Sequence, residues 1–70
     1  MTDVIEVYGQ NAGKVWETLE NNGPSNTDKI MKKTGLTKQK FYVAIGWLAR
    51  ENKVWFNEDK YELKPANYEN

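Results

Sequence analysis

Basic side chains that could bind phosphate are concentrated in the middle of the chain. Residues 28–53 contain seven basic and two acidic side chains, a balance of +5, whereas the remaining residues contain three basic and eight acidic side chains, a balance of −5. Lysine and arginine neutralise the phosphates of nucleic acids, so this segment can present a positive face to a polyanion. Charge runs are also typical of a solvated helix surface, and the zero net charge of the chain argues against a strong nucleic-acid binder.

The sequence lacks the side chains that usually carry catalysis or hold a metal ion. It contains no histidine and no cysteine, which removes the commonest general base, thiol nucleophiles and soft metal ligands. Its carboxylate pairs, Glu17 with Glu20 and Glu58 with Asp59, fall on a predicted helix surface and in a predicted turn. The five glycines do not have the spacing of a phosphate-binding loop. The sequence therefore predicts that the protein is not an enzyme and has no cofactor, metal ion or small-molecule substrate.

Length and composition predict one small cytoplasmic domain. The chain has 70 residues, of which 39% are hydrophobic and 29% charged, a balance that is typical of globular domains. No apolar run approaches the roughly 18 residues of a membrane-spanning helix, so no membrane partner is expected. We expect residues 1–64 to form the domain and residues 65–70 to form a flexible tail with little to bury.

Three helices are predicted from the spacing of apolar residues and from end signals. The first is clear from residue 11 to residue 22, while residues 1–8 are ambiguous between a helix and an extended lead-in. A capping box from Ser25 to Asp28 predicts the start of a second helix over residues 27–34. Thr37 is the predicted N-cap of a third helix over residues 38–52. The side chains expected in one core are Trp16, Leu19, Ile30, Leu36, Phe41, Ala44, Ile45 and Leu48.

The end of the chain switches to the alternation of β-strands. Residues 54–56 and 60–63 are rich in aromatic and β-branched side chains and flank the polar residues 57–59, which predicts a β-hairpin. The stretch G-L-T-K-Q-K-F-Y-V-A-I-G-W-L-A-R-E-N-K-V resembles the recognition-helix region of winged helix-turn-helix domains. With A-G-K-V-W in the first helix, G-W-L-A-R-E resembles a small family of prokaryotic winged-helix domains of uncharacterised function. The resemblance covers about residues 12–63.

The resemblance implies an α+β fold, mainly α, with three helices followed by a two-stranded wing. A transcription-regulator-like role follows, in which the third helix enters a major groove of double-stranded DNA and the wing touches the backbone or minor groove. Gln39 would bind adenine, and Lys38 guanine or phosphate. Thr37 and Lys40 would contact phosphates, and the DNA-binding residues implied are Lys32, Lys33, Thr37, Lys38, Gln39, Lys40 and Tyr42.

Two features point instead to a protein partner or a homodimer. The wing tip holds Glu58 and Asp59, which repel phosphate, and Val43 and Trp47 lie where DNA-reading helices usually present polar side chains. The alternative interaction surface consists of Tyr42, Val43, Gly46 and Trp47. Trp and Tyr are enriched at the centres of protein interfaces. Trp47 either stays partly exposed on this surface or folds under the wing or the N-terminal segment.

Overall fold

Three helices and a two-stranded hairpin make up the computed structural model, which describes residues 4–65. The elements are α1 (Val4–Asn22), α2 (Thr27–Thr34), α3 (Lys38–Arg50), β1 (Val54–Asn57) and β2 (Lys60–Leu63). The predicted mainly helical α+β architecture is confirmed. No helix in the described part of the chain is long and apolar enough to cross a membrane. Apart from Pro65, the flexible tail predicted for residues 65–70 lies outside the described residues.

Helices α2 and α3 are each followed by a residue with left-handed backbone geometry, whose N–H bonds to one of the last carbonyls of the helix. Gly35 is left-handed, with a φ of 74°, and its N–H donates to Met31 O at 2.8 Å. The third helix is two residues shorter than predicted, because Asn52 adopts a left-handed φ of 63° and donates its N–H to Ala49 O at 3.0 Å. The next N–H, that of Lys53, bonds to Leu48 O at 2.9 Å, which completes a Schellman motif.

The predicted capping box at Ser25 is wrong. The N-cap of α2 is Asn26, whose side-chain oxygen accepts the N–H of Lys29 at 2.8 Å. Ser25 is buried, and its hydroxyl donates to Gly23 O at 2.9 Å instead. The reason is that the backbone of Ser25 pairs with Tyr61 in the wing, so the cap lies one residue later, at Asn26, while the helix begins at Thr27 as predicted. The N-cap predicted for α3 is confirmed, since Thr37 Oγ1 accepts the N–H of Lys40 at 3.3 Å.

The hairpin is antiparallel and joins the helices through one bridge. Its register pairs Val54 with Leu63 and Asn57 with Lys60, so the turn has two residues and β1 is one residue longer than predicted. The bridge is an isolated antiparallel pair between Ser25 and Tyr61. There the N–H of Ser25 donates to Tyr61 O at 3.0 Å, and the N–H of Tyr61 donates to Ser25 O at 2.8 Å.

One core lies between the helices and the base of the wing. Seven of the eight predicted core side chains are buried, but Trp16 is only partly buried at the edge of the core. Trp16 remains partly exposed because it lies on the side of α1 that borders the base of the wing, where it lines an open groove with Lys53 and Leu63. The buried hydrophobic residues are Ala12, Val15, Leu19, Ile30, Leu36, Phe41, Ala44, Ile45, Leu48 and Val54.

Candidate nucleic-acid interface

The outward face of α3 combines polar, apolar and glycine positions. Phe41 and Leu48 are buried, so residues on the opposite side of a helix with about 3.6 residues per turn face solvent. Four exposed residues occupy that side in the order Gln39, Val43, Gly46 and Arg50. We call these four residues the outward strip. Its two ends can donate several hydrogen bonds, through an amide and a guanidinium, while its middle cannot.

Four lysines of α2 and of the start of α3 carry uncompensated positive charge. Lys32, Lys33, Lys38 and Lys40 are all exposed. Among the described residues, none of the four lies within 4.0 Å of a carboxylate oxygen, and the ion pair that is present joins Lys53 to Glu51 at 3.8 Å. Unpaired ammonium groups attract phosphate without first losing an internal partner.

The predicted phosphate-binding residues do not form one cluster. Lys38 and Gln39 are adjacent at the first turn of α3, and Tyr42 lies one turn later. Lys33 instead lines a groove between α1 and α2, together with Lys14 and with side chains of the end of α1. On the helical wheel, Lys40 lies about 160° from Lys38, so the two ammonium groups leave α3 on opposite flanks of the outward strip.

The hydroxyl oxygen of Thr37 caps α3 by accepting the backbone N–H of Lys40. A hydroxyl can accept one hydrogen bond and donate another, and among residues 7–65 the Thr37 hydroxyl donates to no protein acceptor. The same end of α3 presents N–H groups without intrahelical partners, which carry the positive end of the helix dipole. Thr37 can therefore cap the helix and still donate to a phosphate oxygen.

Tyr42 belongs to a row of four aromatic side chains that runs from α3 to the wing. The ring centroids of Phe41 and Tyr42 are 5.2 Å apart, those of Phe41 and Tyr61 are 5.7 Å apart, and those of Phe56 and Tyr61 are 4.9 Å apart. We call Tyr42, Phe41, Tyr61 and Phe56 the aromatic row. Its middle members are buried or partly buried, whereas Tyr42 is 48% and Phe56 59% exposed. Tyr42 therefore lies on the flank of α3 that faces the wing.

The phenol of Tyr61 has a shifted pKa. Burial raises the pKa of Tyr61, the nearby Tyr42 adds to the increase, and a hydrogen bond with the side chain of Thr27 opposes it. These causes show that side chains from α2, α3 and the wing meet at one phenol. The wing is thus packed against the start of both helices of the helix-turn-helix.

Trp47 lies on the other flank of α3. It is partly buried against the core and lines a groove with Trp16 and with Gly9 and Gly13 of α1. Trp47 lies five residues after Tyr42, so the two side chains leave the helix at directions about 140° apart. The structure therefore separates the residues predicted as a protein-interaction surface. Trp47 contacts α1, Tyr42 faces the wing, and only Val43 and Gly46 share the outward strip.

The tip of the wing carries negative charge. Glu58 and Asp59 form the two-residue turn and are both exposed. The wing also holds an exposed aromatic side chain that the sequence interpretation did not single out, Phe56 in β1. Because side chains alternate along a strand, Phe56 lies on the same face of the hairpin as the buried Val54. Phe56 is exposed because it lies nearer the tip of the hairpin, beyond the edge of the core.

Comparison with known proteins agrees with this architecture. A family model described as a winged helix-turn-helix domain (DUF2582) matches residues 1–64. The uncharacterized protein MJ1608 of the archaeon Methanocaldococcus jannaschii is 38% identical over 61 residues, which cover 84% of this chain and 87% of the relative. Neither description names a ligand, a partner or an activity.

Proposed function

The chain belongs to the winged helix-turn-helix domain family DUF2582, and from this premise we propose that it binds double-stranded DNA through α3 in a regulatory, non-catalytic role. The observation that carries the proposal is the unpaired positive charge around the exposed first turn of α3, at Lys38 and Lys40. In this fold α3 is the helix that enters a major groove. In this proposal the protein meets DNA in the cytoplasm of a prokaryotic cell.

Contacts to phosphate supply most of the proposed affinity. Lys38 and Lys40 leave opposite flanks of α3, which matches the two phosphate backbones that border a major groove. Thr37 adds a hydroxyl donor at the positive end of the helix dipole. Lys32 and Lys33 extend the positive potential along α2. The binding is weak because Glu58 and Asp59 oppose the approach of the wing to phosphate.

Base recognition in this proposal falls mainly to one residue. Gln39 is exposed at the start of the outward strip, where its amide can make paired hydrogen bonds to adenine. Tyr42 lies beside it on the wing flank. Val43 and Gly46 have no polar side-chain atom, so they offer only apolar contact, for which the methyl group of thymine is the available target. A short readout of this kind gives modest sequence preference.

A fluorescence anisotropy titration of a labelled random-sequence duplex at two salt concentrations tests the proposal. Lys38→Ala with Lys40→Ala should lower the affinity and reduce the slope of log affinity against log salt by about one to two units. Lys14→Ala with Lys53→Ala is the matched control, since it removes the same charge from two exposed lysines outside α2 and the start of α3. Absence of binding by the unmodified protein at low salt, or equal losses in both double variants, would refute the proposal.

A homodimer or another protein partner is a second candidate function. The observation that favours it is the apolar middle of the outward strip, where Val43 is 39% exposed and a side chain added at Gly46 would meet nothing within 4 Å. Light scattering of the unmodified protein and of Val43→Lys is the test. A dimer mass that becomes a monomer mass in the variant, with an unchanged melting temperature, would support this function over DNA binding. A monomer mass in both would exclude the homodimer.

A further inference from the structure

Two of the five large apolar side chains exposed in the described residues are the ends of the aromatic row. The exposed set consists of Val7, Tyr8, Tyr42, Val43 and Phe56. Phe56 has the highest exposure among them, although its cross-strand partner Tyr61 covers one side of the ring. Tyr42 similarly rests on Phe41 and exposes almost half of its surface. At each end of the row, therefore, one side of the ring contacts a neighbouring ring and the remaining surface is exposed to solvent.

The support between the two ends is rigid. Tyr61 contacts Phe56 on one side and Phe41 on the other, and Phe41 is fully buried in the core. Tyr61 is further held by its two backbone hydrogen bonds to Ser25. Tyr42 and Phe56 are consequently fixed relative to each other although they belong to different elements. A pre-positioned pair of rings loses little conformational entropy when a flat ligand stacks on them.

An unpaired lysine lies beside one of the two exposed rings. Lys38 lies one helical turn before Tyr42, is exposed and forms no ion pair among residues 7–65. Lys60 is adjacent to Tyr61 in β2 and therefore lies on the opposite face of the hairpin, and the wing tip beyond Phe56 carries Glu58 and Asp59. The combination of open aromatic surface and the unpaired Lys38 complements a flexible polyanion with exposed flat rings. An apolar protein groove would instead favour a continuous apolar patch without flanking charge.

We propose that the aromatic row is a stacking surface for the unpaired bases of single-stranded DNA. Tyr42 and Phe56 each receive one base, while Lys38 binds the phosphate adjoining the base on Tyr42. Bases in a duplex are already stacked on one another, so duplex DNA cannot use these rings in the same way. This activity goes beyond the proposed duplex binding and does not depend on it, although the two share Lys38 and Tyr42. Stacking on ring faces is tolerant of sequence, so little base preference is expected.

The test is an anisotropy titration of the intact protein with fluorescein-labelled oligothymidylate of about fifteen nucleotides, within the range of known single-strand site sizes. Phe56→Leu keeps an apolar side chain but removes the ring, and it should weaken binding by about tenfold or more without changing the salt slope. Phe56→Tyr should retain the affinity. Tyr42→Leu should weaken binding as Phe56→Leu does. Tyr8→Leu is the matched control, since Tyr8 is 40% exposed and lies outside the row, on α1.

Three results would overturn the inference. One is absence of binding of oligothymidylate by the unmodified protein at low salt. Another is unchanged affinity of Phe56→Leu when its melting temperature matches that of the unmodified protein. The third is an equal loss of affinity for oligothymidylate in Tyr8→Leu. A parallel titration with a duplex separates the two proposals, because loss of duplex binding alone refutes the proposed function and leaves the single-strand site standing.

Discussion

Replacing the wing turn by Asn-Gly is expected to stabilise the domain. Glu58 and Asp59 are the two central residues of the hairpin turn, and both are left-handed, with φ of 49° and 69°. A two-residue turn with positive φ at both positions is type I′, for which Asn-Gly is the favoured sequence. Glu lacks the short polar side chain that lets Asn support this conformation. The double variant Glu58→Asn with Asp59→Gly should therefore remove strain without altering the register.

The gain in the free energy of unfolding can be estimated separately for positions 58 and 59. A left-handed residue with a Cβ costs about 1 kcal/mol or more, and Asn recovers most of that cost at position 58. Asp already tolerates the conformation, so Gly at position 59 adds about a few tenths of a kcal/mol after its larger unfolded-state entropy is subtracted. The sum is about 1 kcal/mol. For a domain of this size, that gain raises Tm by about 4–8 °C.

Thermal unfolding followed by circular dichroism measures the effect. The variant also removes two negative charges, so Glu17→Gln with Glu20→Gln serves as the charge-matched control on the exposed surface of α1. The gain should persist in about 1 M salt, where charge interactions are screened beyond about 3 Å. A Tm that is unchanged or lower, or a gain that disappears in salt, would refute the assignment of strain to the turn.

Three further changes test the core, a helix cap and a phenol. Leu48→Ala should cost about 2–5 kcal/mol in urea unfolding because Leu48 is 3% exposed, and an unchanged midpoint would contradict the core assignment. Asn26→Ala should cost about 1 kcal/mol while Asn26→Asp keeps the cap, and equal stability of the two would contradict the cap. Since burial raises the pKa of Tyr61, its contribution to stability is complete below the ordinary value of about 10 and lost as pH rises through the folded pKa. The loss of stability at alkaline pH should accordingly be smaller in Tyr61→Phe than in the unmodified protein. Identical profiles of stability against pH for the two proteins would contradict this expectation.

Removal of the acidic wing turn also bears on DNA binding. If Glu58 and Asp59 weaken the proposed duplex contact by repulsion, the Asn-Gly variant should bind duplex more tightly at low salt. The effect should shrink as salt rises, in contrast to its effect on stability. Both responses can be measured on one preparation, so the conformational and electrostatic roles of the turn are separable.

Features that depend on neighbours along the chain were predictable. Gly35 and Thr37 bound the turn of the helix-turn-helix, and each acts through a hydrogen bond to a residue three or four positions away. The inward side of α3 followed from its apolar spacing for the same reason. Ser25 shows the limit of such prediction, because its backbone pairs with Tyr61 far along the chain. The long-range bridge moved the cap to Asn26.

The character of the candidate site was decided by tertiary packing. By itself, the sequence determined three helices, a hairpin, one apolar face of α3 and a basic central segment, because these depend on local spacing and composition. Helical periodicity gives the angle of a side chain around its own axis but not the element that packs beside it. The wing covers the flank of Tyr42 and α1 covers the flank of Trp47, so the two aromatics belong to different surfaces. That division arises from contacts between distant segments, which only the folded chain brings together.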